Sequence, residues 1–175
     1  MSNVTKQGLG CIKATIIKDS ISGGNRFTTF EIEYPRFILS EVNTHCMLEK
    51  NSASSRAIPV ESMLATIENN PAAPIKWGAN NPGMQSFTEL SKGNKSKAQK
   101  LWAAAAKSAA KYARKMGAKE GINAHKQIAN RMSEPFQVMK TVISGTEWAN
   151  FFWLRNHPDA QPEFQELARV MWECM

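Results

Sequence analysis

Several things are scarce in this chain of 175 residues, and each scarcity closes a class of function. No stretch of eighteen apolar residues occurs, so no membrane-spanning helix is expected. The first ten residues are polar and lack the apolar core of a secretory leader. The expected location is therefore the cytoplasm. Cysteine is limited to Cys11, Cys46 and Cys174, widely spaced and odd in number, which argues against a disulfide framework and a zinc site. The histidines His45, His125 and His157 have no metal-binding spacing either. There is no glycine-rich dinucleotide fingerprint, no P-loop and no serine-hydrolase elbow. A nucleotide or nucleotide-type cofactor would have to bind in some other fold.

Acidic residues are missing from one place. Between Lys92 and Lys119 lie nine basic residues and no acidic one, whereas the rest of the chain has thirteen basic against fifteen acidic residues, net −2. The overall charge of +7 thus belongs to a single segment. A solvated helix face is the common outcome of such a run. Phosphate neutralisation on a nucleic acid and steering of anionic ligands are the alternatives. No recognition helix, RNP-like aromatic pair or zinc finger accompanies it, so nucleic acid is not the expected partner.

What remains reads as alternating strands and helices. Cys11 to Lys18 alternates and is β-branched, and Arg26 to Leu39 follows as a strand interrupted at Pro35. A turn is expected over Asp19 to Asn25. Pro59 to Glu68 places Val60, Met63, Leu64 and Ile67 on one helical face. Residues 69–85 read as a loop pinned by Trp77 and Met84. Lys95 to Met116 is alanine-rich and helical, with Leu101, Ala105, Ala109, Tyr112 and Met116 as the expected apolar stripe. Further helices are expected at 121–132, 146–154 and 162–172, with a strand at 136–143. The length suits one domain, residues 1–175, carrying a basic helical insertion at about 91–121. A chain this short has little material to enclose a large cofactor alone, which favours an oligomer.

Arginine carries the chemical signal. Arg56 follows the serine cluster Ser52, Ser54 and Ser55; Arg131 precedes Ser-Glu-Pro; Arg155 precedes Asn-His-Pro. A guanidinium fork binds phosphate through two charge-assisted hydrogen bonds. On spacing alone, three surface or ion-paired arginines are the commoner outcome. A serine cluster more often caps or turns than attacks, and Cys46 is more often an inert thiol than a reactive one.

Four segments together resemble the flavin-dependent thymidylate synthases, the ThyX family, and most closely its short bacteriophage members. Phe30-Glu-Ile-Glu33 is similar to the strand that leads into the family signature. His45 through Arg56 resembles Arg-His-Arg-x-x-Ser-x-Asn-Glu-x-Ser-x-Arg. Arg131-Met-Ser-Glu-Pro135 resembles Arg-x-x-x-Pro. Asn150 through Arg155, with Ala160-Gln161-x-Glu163, resembles the substrate motif near the C-terminus.

The resemblance implies an α/β (α+β) protomer with a mixed sheet flanked by helices, assembled as a homotetramer with FAD at its subunit interfaces. It implies methylation of dUMP to dTMP, with methylenetetrahydrofolate as carbon donor and NADPH as reductant. Arg155 matches the catalytic arginine that contacts the uracil and favours its ionised form. Ser54, Arg56 and Arg131 match dUMP-binding positions; His45, Asn51 and Asn150 match FAD-contacting positions. No metal is implied. The chain departs from the signature at Thr44 and Cys46, where the signature has arginines, and at Glu49 and Ser52, where the signature has serine and glutamate. Glu41 stands where the family has a glutamine. Losing two cations near a diphosphate predicts weaker FAD binding. Two alternatives therefore stand beside the synthase: transfer of another one-carbon group to a pyrimidine nucleotide, and a catalytically silent protein that binds a nucleotide or partner.

Overall fold

The computed structural model describes residues 4–175, so the start of the polar N-terminal stretch, residues 1–3, lies outside the described residues. The chain forms two compact units, residues 1–52 with 138–175, and residues 53–137.

The first unit is built on five strands in the order β1-β2-β3-β5-β4: β1 (Val4–Gln7), β2 (Lys13–Ser22), β3 (Asn25–Pro35), β4 (Glu49–Ser52) and β5 (Val138–Gly145). Every pairing is antiparallel, where a mixed sheet was expected. β2 and β3 form a tight hairpin, and β5 returns along β3 with β4 on its far side. The turn expected over 19–25 shrinks to Gly23 and Gly24, both at positive φ (57° and 83°). Two-residue hairpin loops require that conformation, and glycine supplies it without strain. Asp19 extends the strand instead, accepting from Arg26 (Nη2 at 2.7 Å) and from the Thr28 hydroxyl at 2.9 Å. β1 is a strand the polar sequence around it did not announce; all four of its residues are exposed.

Alternation along the strands sorts the two sheet faces. Phe30, Ile32, Tyr34, Met139, Thr141 and Ile143 are buried on one face. The other carries cross-strand charge pairs, with Lys140 Nζ 3.2 Å from both Glu31 and Glu33, and Lys13 3.5 Å from Glu33. Three helices complete the unit: α1 (Leu39–Asn43), α5 (Trp148–Arg155) and α6 (Pro162–Cys174). α6 begins with proline at its first position and buries Phe164, Leu167, Ala168, Val170 and Met171. Phe30 meets Trp148 edge to face at 5.1 Å, joining sheet to α5.

The second unit is helical: α2 (Val60–Asn69), α3 (Lys92–Gly117) and the short α4 (Lys126–Ala129), which runs into a 3₁₀ segment, Asn130–Phe136. A helix was expected over 121–132; the chain instead turns before Lys126 and tightens at Pro135, which cannot continue an α-helix. The core gathers Met63, Leu64, Ile67, Ala106, Ala110, Ala113 and Phe136, with Trp102 packed against it. α3 thus uses a different face from the expected one, and Leu101 (72 % exposed) and Tyr112 (55 %) point outward. The three buried alanines let α2 and the Phe136 turn approach closely, an option that size-ranked hydrophobicity does not reveal. Trp77 does pin the 69–85 loop, meeting Trp102 edge to face at 6.2 Å, whereas Met84 is fully exposed. Among the described residues, no helix is long and apolar enough to cross a membrane.

Candidate functional site: a held arginine and a tethered loop

Arg155 is the last residue of α5, on the same face as the buried Phe151 and Phe152 three and four residues before it. Its cation faces the negative end of that helix. Nε donates to His45 Nε2 at 2.8 Å, and Nη2 donates to the Thr44 hydroxyl oxygen at 3.1 Å. The Thr44 hydroxyl gives its own proton to the Glu41 carbonyl at 2.6 Å, which leaves a lone pair for the guanidinium. The guanidinium carbon lies 4.8 Å above the centre of the Phe164 ring. Among the described residues, no carboxylate pairs with Arg155. A positioned cation without a counter-ion is a site that can take an anion or a developing negative charge.

His45 is buried between Phe151 and Phe164, both edge to face, at 4.9 and 5.7 Å. Because Nε2 accepts from Arg155, the neutral ring carries its proton on Nδ1. Burial, then the Arg155 and Lys50 cations, push the His45 pKa down to about 4. The imidazole therefore stays neutral near pH 7 and serves as an acceptor. Lys50 closes the turn by donating to the carbonyls of His45 and Leu48. Leu48 rests on Gly145; a Cβ there would come within 2.6 Å of Leu48 Cδ2. Ser52 joins a buried hydroxyl chain, 2.8 Å from the Thr141 oxygen, itself 2.8 Å from Tyr34 Oη. Asn51 on edge strand β4 and Asn150 on α5 are exposed, and their amides have no partner among the described residues.

In the second unit, Ser54 and Arg56 occupy the loop that leads to α2. The Ser54 hydroxyl accepts from the Arg56 backbone N–H at 3.3 Å, a local turn rather than a nucleophile's environment. Arg131 lies in the 3₁₀ segment, largely exposed, with Glu134 3.8 Å away. The two segments are joined by Asn130, which sequence reasoning missed. Its fully buried amide donates to the Ser55 carbonyl at 2.8 Å and the Ile58 carbonyl at 3.1 Å. The Asn130 carbonyl accepts from Ser133 Oγ at 3.0 Å and Gln137 Nε2 at 2.7 Å. Asn130 Oδ1 is buried with no donor, and both amide contacts are to acceptors, so flipping the amide would not help. An asparagine between Ala129 and Arg131 gives no sequence sign of complete burial.

The model for the family described as thymidylate synthase complementing protein matches residues 27–175. The chain belongs to that family. Its fold is similar to the UMP/dUMP methylase PolB from Streptomyces cacaoi bound with 5-Br UMP, with a TM-score of 0.73 and 14% identity over 93% of this chain and 87% of that one. It is also similar to the flavin dependent thymidylate synthase ThyX from Helicobacter pylori complexed with FAD and dUMP, with a TM-score of 0.57 and 20% identity over 86% and 68% of the two chains. No curated protein sequence matches.

Against the FAD of the Helicobacter pylori structure, the residues present divide by charge. The free amides of Asn51 and Asn150 and the Nδ1–H of His45 fit the neutral hydrogen-bonding edges of a flavin. The 44–52 stretch supplies less to a diphosphate: Thr44 and Cys46 are neutral, and the Lys50 ammonium already serves two carbonyls.

Proposed function

We propose that this protein is a flavin-dependent thymidylate synthase, methylating dUMP to dTMP with methylenetetrahydrofolate as carbon donor and NADPH as reductant. The observation that carries the reading is the Arg155 guanidinium, fixed on three sides by His45, Thr44 and Phe164 with no carboxylate to neutralise it. Beside a uracil ring, such a group stabilises the negative charge that develops when the pyrimidine is activated at C5. Electrostatic activation of this kind asks for no nucleophile from the protein. Neutral His45 holds the guanidinium without competing for the substrate's charge, and Thr44 fixes its roll.

In the second unit, Ser54, Arg56 and Arg131 are the proposed dUMP ligands, and Asn130 keeps their two segments together. Asn51, Asn150 and His45 would hold FAD, which when bound supplies the hydride that completes the methyl group. The working form is a homotetramer, which would supply the enclosure that a protomer of 175 residues lacks. A bacteriophage protein acting in its host's cytoplasm fits the resemblance of the signature.

The test is a visible spectrum after incubation with FAD, followed by mass analysis of the product from dUMP. Flavin retention and dTMP support the reading. A hydroxymethylated product would assign a sister reaction, and a colourless protein that never gains flavin would leave a nucleotide-binding or partner-binding relative. A second reading is that the ribonucleotide UMP is also methylated, favoured by the higher fold similarity to the Streptomyces methylase. Comparing kcat/KM for UMP and dUMP decides it.

A further inference from the structure

The proposed synthase activity leaves one feature unused: the outer face of α3. Of the nine cations between Lys92 and Lys119, two are paired with carboxylates, Lys95 with Glu89 at 2.9 Å and Arg114 with Glu61 and Glu68 at 3.2 and 2.9 Å. The core face is alanine, at Ala106, Ala110 and Ala113. Opposite it, at 3.6 residues per turn, Lys97, Lys100, Lys107, Lys111 and Lys115 fall on a single stripe. All five are exposed, and among the described residues none has a carboxylate partner. The second unit contains only five acidic residues. Glu61, Glu68, Glu89 and Glu134 each already face another cation, and Glu120 lies beyond the helix end. The residues between the lysines are small, Ala103, Ala104 and Ser108, so nothing bulky holds a partner away from the helix.

We propose that this stripe docks on the phosphate backbone of duplex DNA, without reading its sequence. The stripe spans about 27 Å, a straight and rigid array of cations suited to an equally regular array of phosphates. It offers no arginine, asparagine or glutamine to read base edges. Tyr112 is the one aromatic beside it, too few for the successive stacking platforms that hold single strands. Leu101 and Tyr112 flank the stripe on one side, short of the broad apolar face that a membrane-surface helix needs.

The experiment is fluorescence anisotropy of a labelled mixed-sequence duplex with the full-length protein between 50 and 200 mM salt. Engagement of five lysines predicts a slope of about −4.5 in log K against log salt, an affinity loss of about 500-fold over that range. Replacing Lys100, Lys107 and Lys111 with alanine should reduce the slope to about −2 and leave dUMP turnover unchanged. The matching glutamine variant controls for side-chain bulk, and far-UV circular dichroism verifies the helix. The glutamine variant should weaken as the alanine variant does, and the proposal is overturned by no binding at 50 mM salt, by a glutamine variant that binds with the wild-type affinity and slope, by tighter binding to a single strand of equal length, or by preference for phosphatidylserine vesicles over duplex.

Discussion

The two units solve the same electrostatic problem in opposite ways. The sheet unit carries nine basic and ten acidic side chains, nearly balanced, and several meet in pairs: Lys140 with Glu31 and Glu33, Arg26 with Asp19, Arg169 with Glu166. The helical unit carries thirteen basic against five acidic and leaves most of its cations unpaired. Surface pairs add little stability, so the contrast is not about folding strength. It concerns where positive charge is left available. In the sheet unit Arg155 has no carboxylate partner among the described residues but is held by neutral groups. In the helical unit availability is the general condition, and only the Asn130 tether imposes geometry on the arginines near it.

The sharpest break of this comparison is Arg155→Ala. It should reduce turnover about 10²–10³-fold, as removal of a preorganised charge-stabilising donor does, with the circular dichroism spectrum unchanged. Full activity in that variant would dismiss the role given to it. In the helical unit the corresponding break is structural. Asn130→Ala should leave the Ser55 and Ile58 carbonyls without donors, destabilise the protein by about 2–3 kcal/mol and raise KM for dUMP, because the Ser54–Arg56 loop loses its anchor. An unchanged melting temperature would show that the tether is dispensable.

A smaller effect sharpens the contrast by adding a cation to the sheet unit. Cys46→Arg restores a charge that the family signature has and should tighten FAD binding about tenfold, read by flavin fluorescence titration. Smallest is the pH dependence set by His45. Its native pKa of about 4 lies below the ordinary value of 6.5, so the unfolded chain binds the proton first as pH falls. The stability His45 contributes is fully present above about pH 6.5, declines as pH drops towards 4, and levels off once the folded form protonates too. Denaturant titrations at pH 7 and pH 5 should show the loss, and His45→Leu should remove that part of it.

The sequence carried the elements that rest on period. α2, β5, α5 and α6 lie where alternation or a helical stripe put them, each shifted by a residue or two. The β2–β3 hairpin was legible too, though strand continuation through Asp19 was not, because its clamp to Arg26 and Thr28 pairs residues across the hairpin. The α3 face was misread since alanine packs by closeness rather than by hydrophobic size. Thr44 read as a missing cation. In the fold it is a ligand to Arg155, a relation across 111 positions that no local pattern encodes. Asn130 was silent for the same reason, its partners lying seventy-odd positions earlier.

Gly145 gives the sheet unit a different kind of constraint. Its absent Cβ leaves room for the tip of the Leu48 side chain, while the backbone of Met47 and Leu48 lies at ordinary contact distance. Positions 44 and 46 have departed from the family signature, and the structure tolerates this because their side chains point away from that contact towards Arg155 or solvent. Of the two, the exposed Cys46 is the one whose side chain has no bond to the arginine. Alanine at 145 would require the buried Leu48 side chain to turn aside, a local repacking inside the turn that carries His45 and Thr44.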